Sequence, residues 1–391
     1  MTDLTLAKPV LRPVSPCFSS GPCKKRPGWS LSSLGGATIG RSHRAKKGKS
    51  KLQQVIEETK ILLGLPKDYI VAIMAGSDTG AVEAALWSLL GPCPVDIFAW
   101  ESFGKEWVTD CVKQLKPLET RSFVGDFGCL PDLKQANFDH DIVFTWNGTT
   151  SGVIVPNGDW IDSERKGLTI CDATSSVFAV PMPWDKLDVI TFSWQKVLGG
   201  EAQHGILILS PRAIERLESH TPVWPIPKIF RLTKAGKLNR EIFEGSTINT
   251  PSMLCVEDAL DAMAWAKSIG GADALAARTR ANFGVIEKWV ETTPWIDFLT
   301  SDPVIRSPTS VCLKAADPTV TALDGEAQTA FFKKLTGMLA EEKVAYDIDA
   351  YRDAPPGLRI WCGATIEAED LKALTPWLDW AYALCRQSLN S

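Results

Sequence analysis

Between residues 69 and 209, short and nearly uninterrupted apolar runs alternate with stretches whose apolar residues recur at helical spacing. The runs Tyr69–Ala75, Val95–Trp100, Asp141–Trp146, Leu168–Cys171, Val189–Ser193 and Gly205–Leu209 have strand length. Ala81–Leu90 and Trp107–Leu115 read as helices between them, and Lys51–Leu63 as a helix before them that Gly64 and Pro66 stop. This alternation predicts an α/β layer structure with a mainly parallel sheet. Ser252–Ile286 is helix-rich. Beyond it, Val304–Lys314 and Leu358–Cys362 read as strands and Ala327–Glu342 and Ala368–Arg386 as helices, which suits a smaller C-terminal α+β domain. The expected division is 1–264 and 265–391. Residues 1–50, rich in Pro, Gly and Ser with basic clusters at Lys24–Arg26 and Arg44–Lys51, read as an extended arm with loops.

Composition narrows the classes. At 391 residues the chain is long enough for two domains, and 45% hydrophobic with 23% charged residues is the make-up of a soluble globular protein. A net charge of −4 argues against general nucleic-acid binding, and no apolar run is long enough to span a bilayer. The ten cysteines are scattered singly, without CxxC or Cys/His metal spacing and without a secretory signal, so they read as thiols in a reducing cytoplasm. Four histidines leave little room for a histidine metal site.

Ligands of open α/β sheets sit beyond the carboxyl ends of strands, so the polar residues there carry the chemistry. Gly76-Ser77-Asp78-Thr79-Gly80 follows the first run and opens a helix. Such a loop is an anion site suited to phosphate, or simply a capped helix. It is not a P-loop, since no GKS or GKT follows. Glu101-Ser102-Phe103-Gly104 offers an aromatic that can stack on a ring, though Phe103 alone reads equally as core. Asn147-Gly148-Thr149-Thr150-Ser151-Gly152 is a hydroxyl-rich loop or an ordinary turn. Asp172 ends its run and either caps the next helix or faces a cationic ring nitrogen. Lys196 stands 24 residues after Asp172, beside Trp194 and the small residues Val197-Leu198-Gly199-Gly200. Desolvation there lowers a lysine's pKa and makes its amine nucleophilic. Together these groups suit a phosphorylated pyridine aldehyde: Asp172 keeps the ring nitrogen protonated, and Lys196 forms the Schiff base and moves the substrate α-proton.

With those residues in view, the chain resembles the fold-type-I pyridoxal-phosphate aminotransferases, and within them the divergent bacterial and archaeal branch of the phosphoserine aminotransferase family. The carrying segments are CFSSGPCKKRPGW (Cys17–Trp29), GRSHR (Gly40–Arg44), AGSDTGAVEAALW (Ala75–Trp87), ESFGKEW (Glu101–Trp107), TWNGTTSGV (Thr145–Val153), CDATSS (Cys171–Ser176), SWQKVLGG (Ser193–Gly200), INTPS (Ile248–Ser252) and PPGLRIWCG (Pro355–Gly363). The resemblance implies a large domain with a mainly parallel seven-stranded sheet flanked by helices, a smaller C-terminal α+β domain, and pyridoxal 5'-phosphate as cofactor. It implies that Lys196 is the Schiff-base lysine and Asp172 the ring-nitrogen partner. Phe103 takes the stacking position that many relatives give to tryptophan, with Trp107 as the fallback. Thr149 reaches the ring hydroxyl, Thr174 and Gln195 reach the phosphate, and Ser77 and Asp78 lie in a phosphate loop that lacks the arginine of the better-known branch. Asn249 and Thr250 contact the phosphate of the neighbouring subunit's cofactor, which implies a homodimer with shared sites. Arg359 would bind the substrate α-carboxylate, while His43, Arg44 and Arg352 would serve the substrate phosphate.

The reaction so implied is a ping-pong exchange in which L-glutamate leaves as 2-oxoglutarate and 3-phosphohydroxypyruvate becomes O-phospho-L-serine, in serine biosynthesis. Some members of the family also act on a phosphorylated hydroxy-threonine precursor of pyridoxine. Three other readings compete. An alanine–glyoxylate or serine–pyruvate type aminotransferase shares the Asp/Lys logic but needs no phosphate cations. A nucleic-acid-binding arm over Arg41–Lys51 runs against the overall acidity. A nicotinamide enzyme lacks its G-x-G-x-x-G.

Overall fold

The structure, a computed structural model, describes residues 7–115 and 119–389. The first six residues of the expected arm lie outside the described residues. Seven strands form the central sheet: β1 (Ile70–Ala75), β2 (Val95–Ala99), β3 (Thr120–Val124), β4 (Asp141–Thr145), β5 (Thr169–Asp172), β6 (Val189–Ser193) and β7 (His204–Leu209). Their order is β1-β7-β6-β5-β4-β2-β3. β7 runs antiparallel to both β1 and β6, and the remaining pairs are parallel. Every residue of β2, β4, β5, β6 and β7 is buried, as expected of strands covered by helices on both faces.

The helices of this layer are α1 (Lys46–Leu63), α2 (Ser77–Leu89), α3 (Ser102–Thr109) and α4 (Pro211–Ser219). Each of the first three begins four or five residues before the apolar periodicity does, because its first turn is built from small or polar residues. β3 carries no continuous apolar run: it is an edge strand with three exposed or half-exposed polar residues at its start. α4 follows the cap-and-proline start Ser210-Pro211, with Ser210 Oγ accepting from Ala213 N.

α5 (Met253–Ser268) and α6 (Gly271–Thr292) lead to a second, antiparallel sheet of β8 (Ile296–Phe298), β9 (Ser310–Ala315) and β10 (Leu358–Trp361). α7 (Gly325–Glu341) and α8 (Ala368–Gln387) complete this part. The division expected at 264/265 falls inside α5. Of the expected strand Val304–Lys314, Pro303–Ile305 is a 3-10 turn and only the later half pairs.

The N-terminal arm ties the two sheets together. Pro16 O accepts from Tyr346 N (2.8 Å), Phe18 O from Trp361 N (3.0 Å), and Cys23 N donates to Gln195 O (2.9 Å). The basic cluster is spent on structure: Lys24 pairs with Asp370 (3.1 Å), Lys25 with Asp258 (2.7 Å) and Arg26 with Asp261 (2.7 Å). At the opposite end of the sheet from the strand carboxyl ends, buried Asp188 accepts from Arg165 Nε, Arg212 Nη1, Thr169 N and Ser210 Oγ. It thereby fixes the starts of β5 and β6 side by side.

Asp188→Ala leaves the buried Arg165 guanidinium without its partner and is expected to cost roughly 3–5 kcal/mol. Urea denaturation should show this as a lowered midpoint at unchanged slope. A loss below about 1 kcal/mol, the range of an exposed pair, would contradict the assignment.

Candidate active site

The carboxyl ends of the parallel strands and the starts of α2 and α3 surround one cavity of about 140 Å³. It is lined by Ser77, Asp78, Thr79, Glu101, Phe103, Trp107, Thr145, Asn147, Thr149, Asp172, Thr174, Ser175, Gln195 and Lys196. Strand register explains the gathering: Asp172, last in β5, pairs with Thr145 of β4 on one side and Thr191 of β6 on the other.

Lys196 follows β6 by three residues and is 9% exposed. Its Nζ donates to Ser20 O of the arm at 2.5 Å. Burial above all holds the amine below the usual lysine range; Arg359 adds to this, while Cys23, Asp172 and Glu101 oppose it. At Gly21 (φ 155°) a Cβ would stand 2.7 Å from Lys196 Nζ, so a side chain there would displace the amine. Asp172 accepts from Trp107 Nε1 (3.1 Å) and from Thr174 N (3.0 Å).

The first turn of α2 lies hard against the sheet. Gly205 allows this, since a Cβ there would meet Ser77 O at 2.1 Å, and Ser77 itself is left-handed at φ 54°. Ser77, Asp78 and Thr79 of this helix start line the cavity; Ser77 N donates to Gln203 O, and a helix start is a suitable anion site. Thr149 Oγ1 donates to Ser175 Oγ (2.9 Å). The buried atoms Thr174 Oγ1, Gln195 Oε1, Asn147 Oδ1 and Thr145 Oγ1 have no hydrogen-bond partner among the described residues. A helix start, orphaned hydroxyl and amide groups, a desolvated amine and a hydrogen-bonded carboxylate in one cavity fit pyridoxal 5'-phosphate.

Eight of the expected cofactor residues therefore meet here: Ser77, Asp78, Phe103, Thr149, Asp172, Thr174, Gln195 and Lys196. Arg359, on β10, stands close enough to act on Lys196 and Cys23, and its Nε is buried without a partner among the described residues. Tyr351 links it to the cavity: the Arg359 guanidinium is 5.4 Å from the Tyr351 ring, which lies 5.5 Å from the ring of Phe103. Arg352 packs on the other contact of Tyr351 at 5.4 Å but points outward, its side chain 72% exposed and near Asp353. His43, Arg44, Asn249 and Thr250 do not line the cavity of their own chain; Arg44 and Thr250 are exposed, His43 and Asn249 half-buried. Trp107, the fallback for the stacking position, also lines the cavity, and its indole N–H donates to Asp172.

Glu101, fully buried at the cavity wall, was not among the expected site residues. It caps α3, accepting from Gly104 N (2.6 Å) and Thr150 Oγ1 (3.0 Å). Desolvation pushes its carboxyl up to about 7, with Asp172 adding to the effect. Its sequence signal was the helix cap, which says nothing of the cavity. Ser20 and Tyr351 were likewise invisible, because both reach the site through space.

No protein-family model matches the chain. A curated relative, the phosphoserine aminotransferase of Methanosarcina mazei, is 59% identical over 379 residues, covering 97% of this chain and 100% of its own. Among solved structures, a phosphoserine aminotransferase from Cytophaga hutchinsonii superposes at TM-score 0.78 with 22% identity, covering 92% of this chain and 97% of its own. An alanine–glyoxylate aminotransferase from Nostoc superposes at 0.76 with 17% identity, covering 96% and 97%. The fold is thus shared by both kinds of aminotransferase.

Because Glu101 ordinarily titrates at 4.5 and here near 7, the folded state holds a proton that the unfolded state has released between those values. Its contribution to stability is therefore full below pH 4.5 and falls as pH rises to 7, by up to roughly 3 kcal/mol. Denaturation of the ligand-free protein at a series of pH values should show that slope reduced in Glu101→Gln. Parallel curves for parent and variant would contradict it.

Proposed function

The chain belongs to the phosphoserine aminotransferase family, with transamination between L-glutamate and 3-phosphohydroxypyruvate as its reaction, and on that premise we propose how its own residues carry that reaction out. The observation that carries the reading is the meeting of Lys196 and Asp172 at one buried cavity. Pyridoxal 5'-phosphate is the cofactor, and when bound it supplies an aldehyde and an electron-accepting ring. Lys196 Nζ is the attaching amine and the base that carries the substrate α-proton. Its depressed proton affinity supports both tasks, since each needs the free amine. Asp172, which accepts from Trp107 Nε1 and Thr174 N, would pair with the ring nitrogen. Phe103 would stack on the ring, with Trp107, which lines the same cavity, as the alternative. Thr149 is within reach of the ring hydroxyl, and the start of α2 with Ser77, Thr174 and Gln195 takes the phosphate.

Arg359 binds the α-carboxylate of both amino acids through its planar fork, a role supported by its unpartnered buried Nε. The phosphate of phosphoserine, and the side-chain carboxylate of glutamate in its turn, are met by Arg352, His43 and Arg44. We place the last two, with Asn249 and Thr250, at the site of a second copy in a homodimer. Their surface position supports this, as does the exposure of Leu31 (80%) and Ile39 (67%) on the same stretch as His43. Ten cysteines without a disulfide support a cytoplasmic setting.

Two measurements test this. Phosphoserine added to the purified enzyme should shift the visible absorption of bound cofactor at concentrations where serine and alanine do not. Equal responses would favour an alanine–glyoxylate type activity. Arg359→Lys keeps the charge but loses the fork, and should lower kcat/KM about 10- to 100-fold for glutamate and phosphoserine alike. A selective loss for phosphoserine would move Arg359 to the phosphate.

A further inference from the structure

The mechanism above leaves one cavity side chain without a task. Asp78, in the first turn of α2, is 7% exposed and lines the cavity. Its Oδ1 makes no hydrogen bond among the described residues. Facing it are the Asp172 carboxylate at the end of β5 and the hydroxyls of Thr174 and Thr191. Of the other elements packed against α2, α4 carries Arg212 and Arg216, which pair with Asp188 and Asp141, and the turn Lys228–Phe230 carries the exposed Lys228. β7 contributes His204, whose buried ring is held below the usual histidine range and accepts from Ser252 N. β5 contributes Cys171, whose thiol is pushed up by burial and by these carboxylates. β1 and β6 carry no ionisable side chain.

Two carboxylates more than nine-tenths buried cannot both stay charged beside each other. The partners decide which one keeps the proton. Asp172 already receives two N–H donors, which stabilise its anion. Asp78 receives no N–H donor among the described residues and faces only hydroxyls and the other acid.

We propose that Asp78 is a positioning residue that carries a proton and presents it to Asp172, so that the pair holds a single negative charge beneath the ring nitrogen of the bound cofactor. The proposal rests on the reading of Asp172 as the ring-nitrogen partner. Asp78 then holds the Asp172 carboxylate in orientation from the side opposite Trp107, and it takes no part in phosphate binding.

Infrared difference spectra of the holoenzyme at pH 7, parent minus Asp78→Asn, should contain the stretch of a protonated carboxyl. Its absence, or a proton lost only in Asp172→Asn, overturns the proposal. Cofactor titration of the ligand-free protein adds a readout independent of activity. Asp78→Asn, neutral and of the same shape, should bind within about threefold of the parent. Asp78→Ala, lacking the donor, should bind about tenfold more weakly, the worth of one buried hydrogen bond. The pH midpoint of the visible absorption should be unmoved in Asp78→Asn. A shift of a full unit there would show that Asp78 carries charge, and equal affinities for the Asn and Ala variants would show that it positions nothing. If Asp172→Asn leaves cofactor affinity and spectrum unchanged, the ring-nitrogen reading itself falls and takes this proposal with it. If only Asp172→Asn has an effect, that reading stands and the role of Asp78 is withdrawn.

Discussion

A desolvated amine with no carboxylate in ion-pair distance among the described residues is the constraint on which the rest of this structure turns. Burying an ammonium costs several kcal/mol, so the fold holds Lys196 where shedding its proton is the cheaper course. Three features enforce the burial. β6 delivers the lysine at its end, Gly21 of the arm packs against its amine so closely that a side chain there would displace it, and the Ser20 carbonyl takes the amine's hydrogen bond. The arm is therefore part of the active site, and its basic cluster, pinned to acids on α5 and α8, is what keeps it in place.

Charge balance follows from the same enclosure. The cavity gathers Lys196 and the nearby Arg359 against Asp172, Asp78 and Glu101, in surroundings that exclude water. Trp107 Nε1 and Thr174 N donate to Asp172, whereas desolvation pushes Glu101 and Asp78 toward their neutral forms. The far end of the sheet supplies rigidity: the Asp188 cluster locks β5 and β6 in register, and a slip there would misplace both Asp172 and Lys196.

Much of this was legible in the residues. Fully buried strands such as β4 and β6 announce themselves as apolar runs, and their ends were located to within a residue. Small polar first turns hid the starts of α2 and α3. The three-residue β8 was too short to show a period, and β3, an exposed edge strand reading Thr-Arg-Ser-Phe-Val, has no apolar run to see. In the cavity, residues delivered by strand ends were recognisable because chain order alone places them. Glu101 and Tyr351 were not, since a helix cap and a loop tyrosine gain their meaning only when distant segments close around them. Trp107 was read for its ring alone, and its indole N–H bond to Asp172 had no sequence signal.

The most direct test of the central claim is chemical. Borohydride reduction of the native holoenzyme, followed by proteolysis and mass spectrometry, should place the pyridoxyl group on the peptide bearing Lys196 and on that lysine alone. Modification of a different lysine, with Lys196 recovered unmodified, would contradict the account.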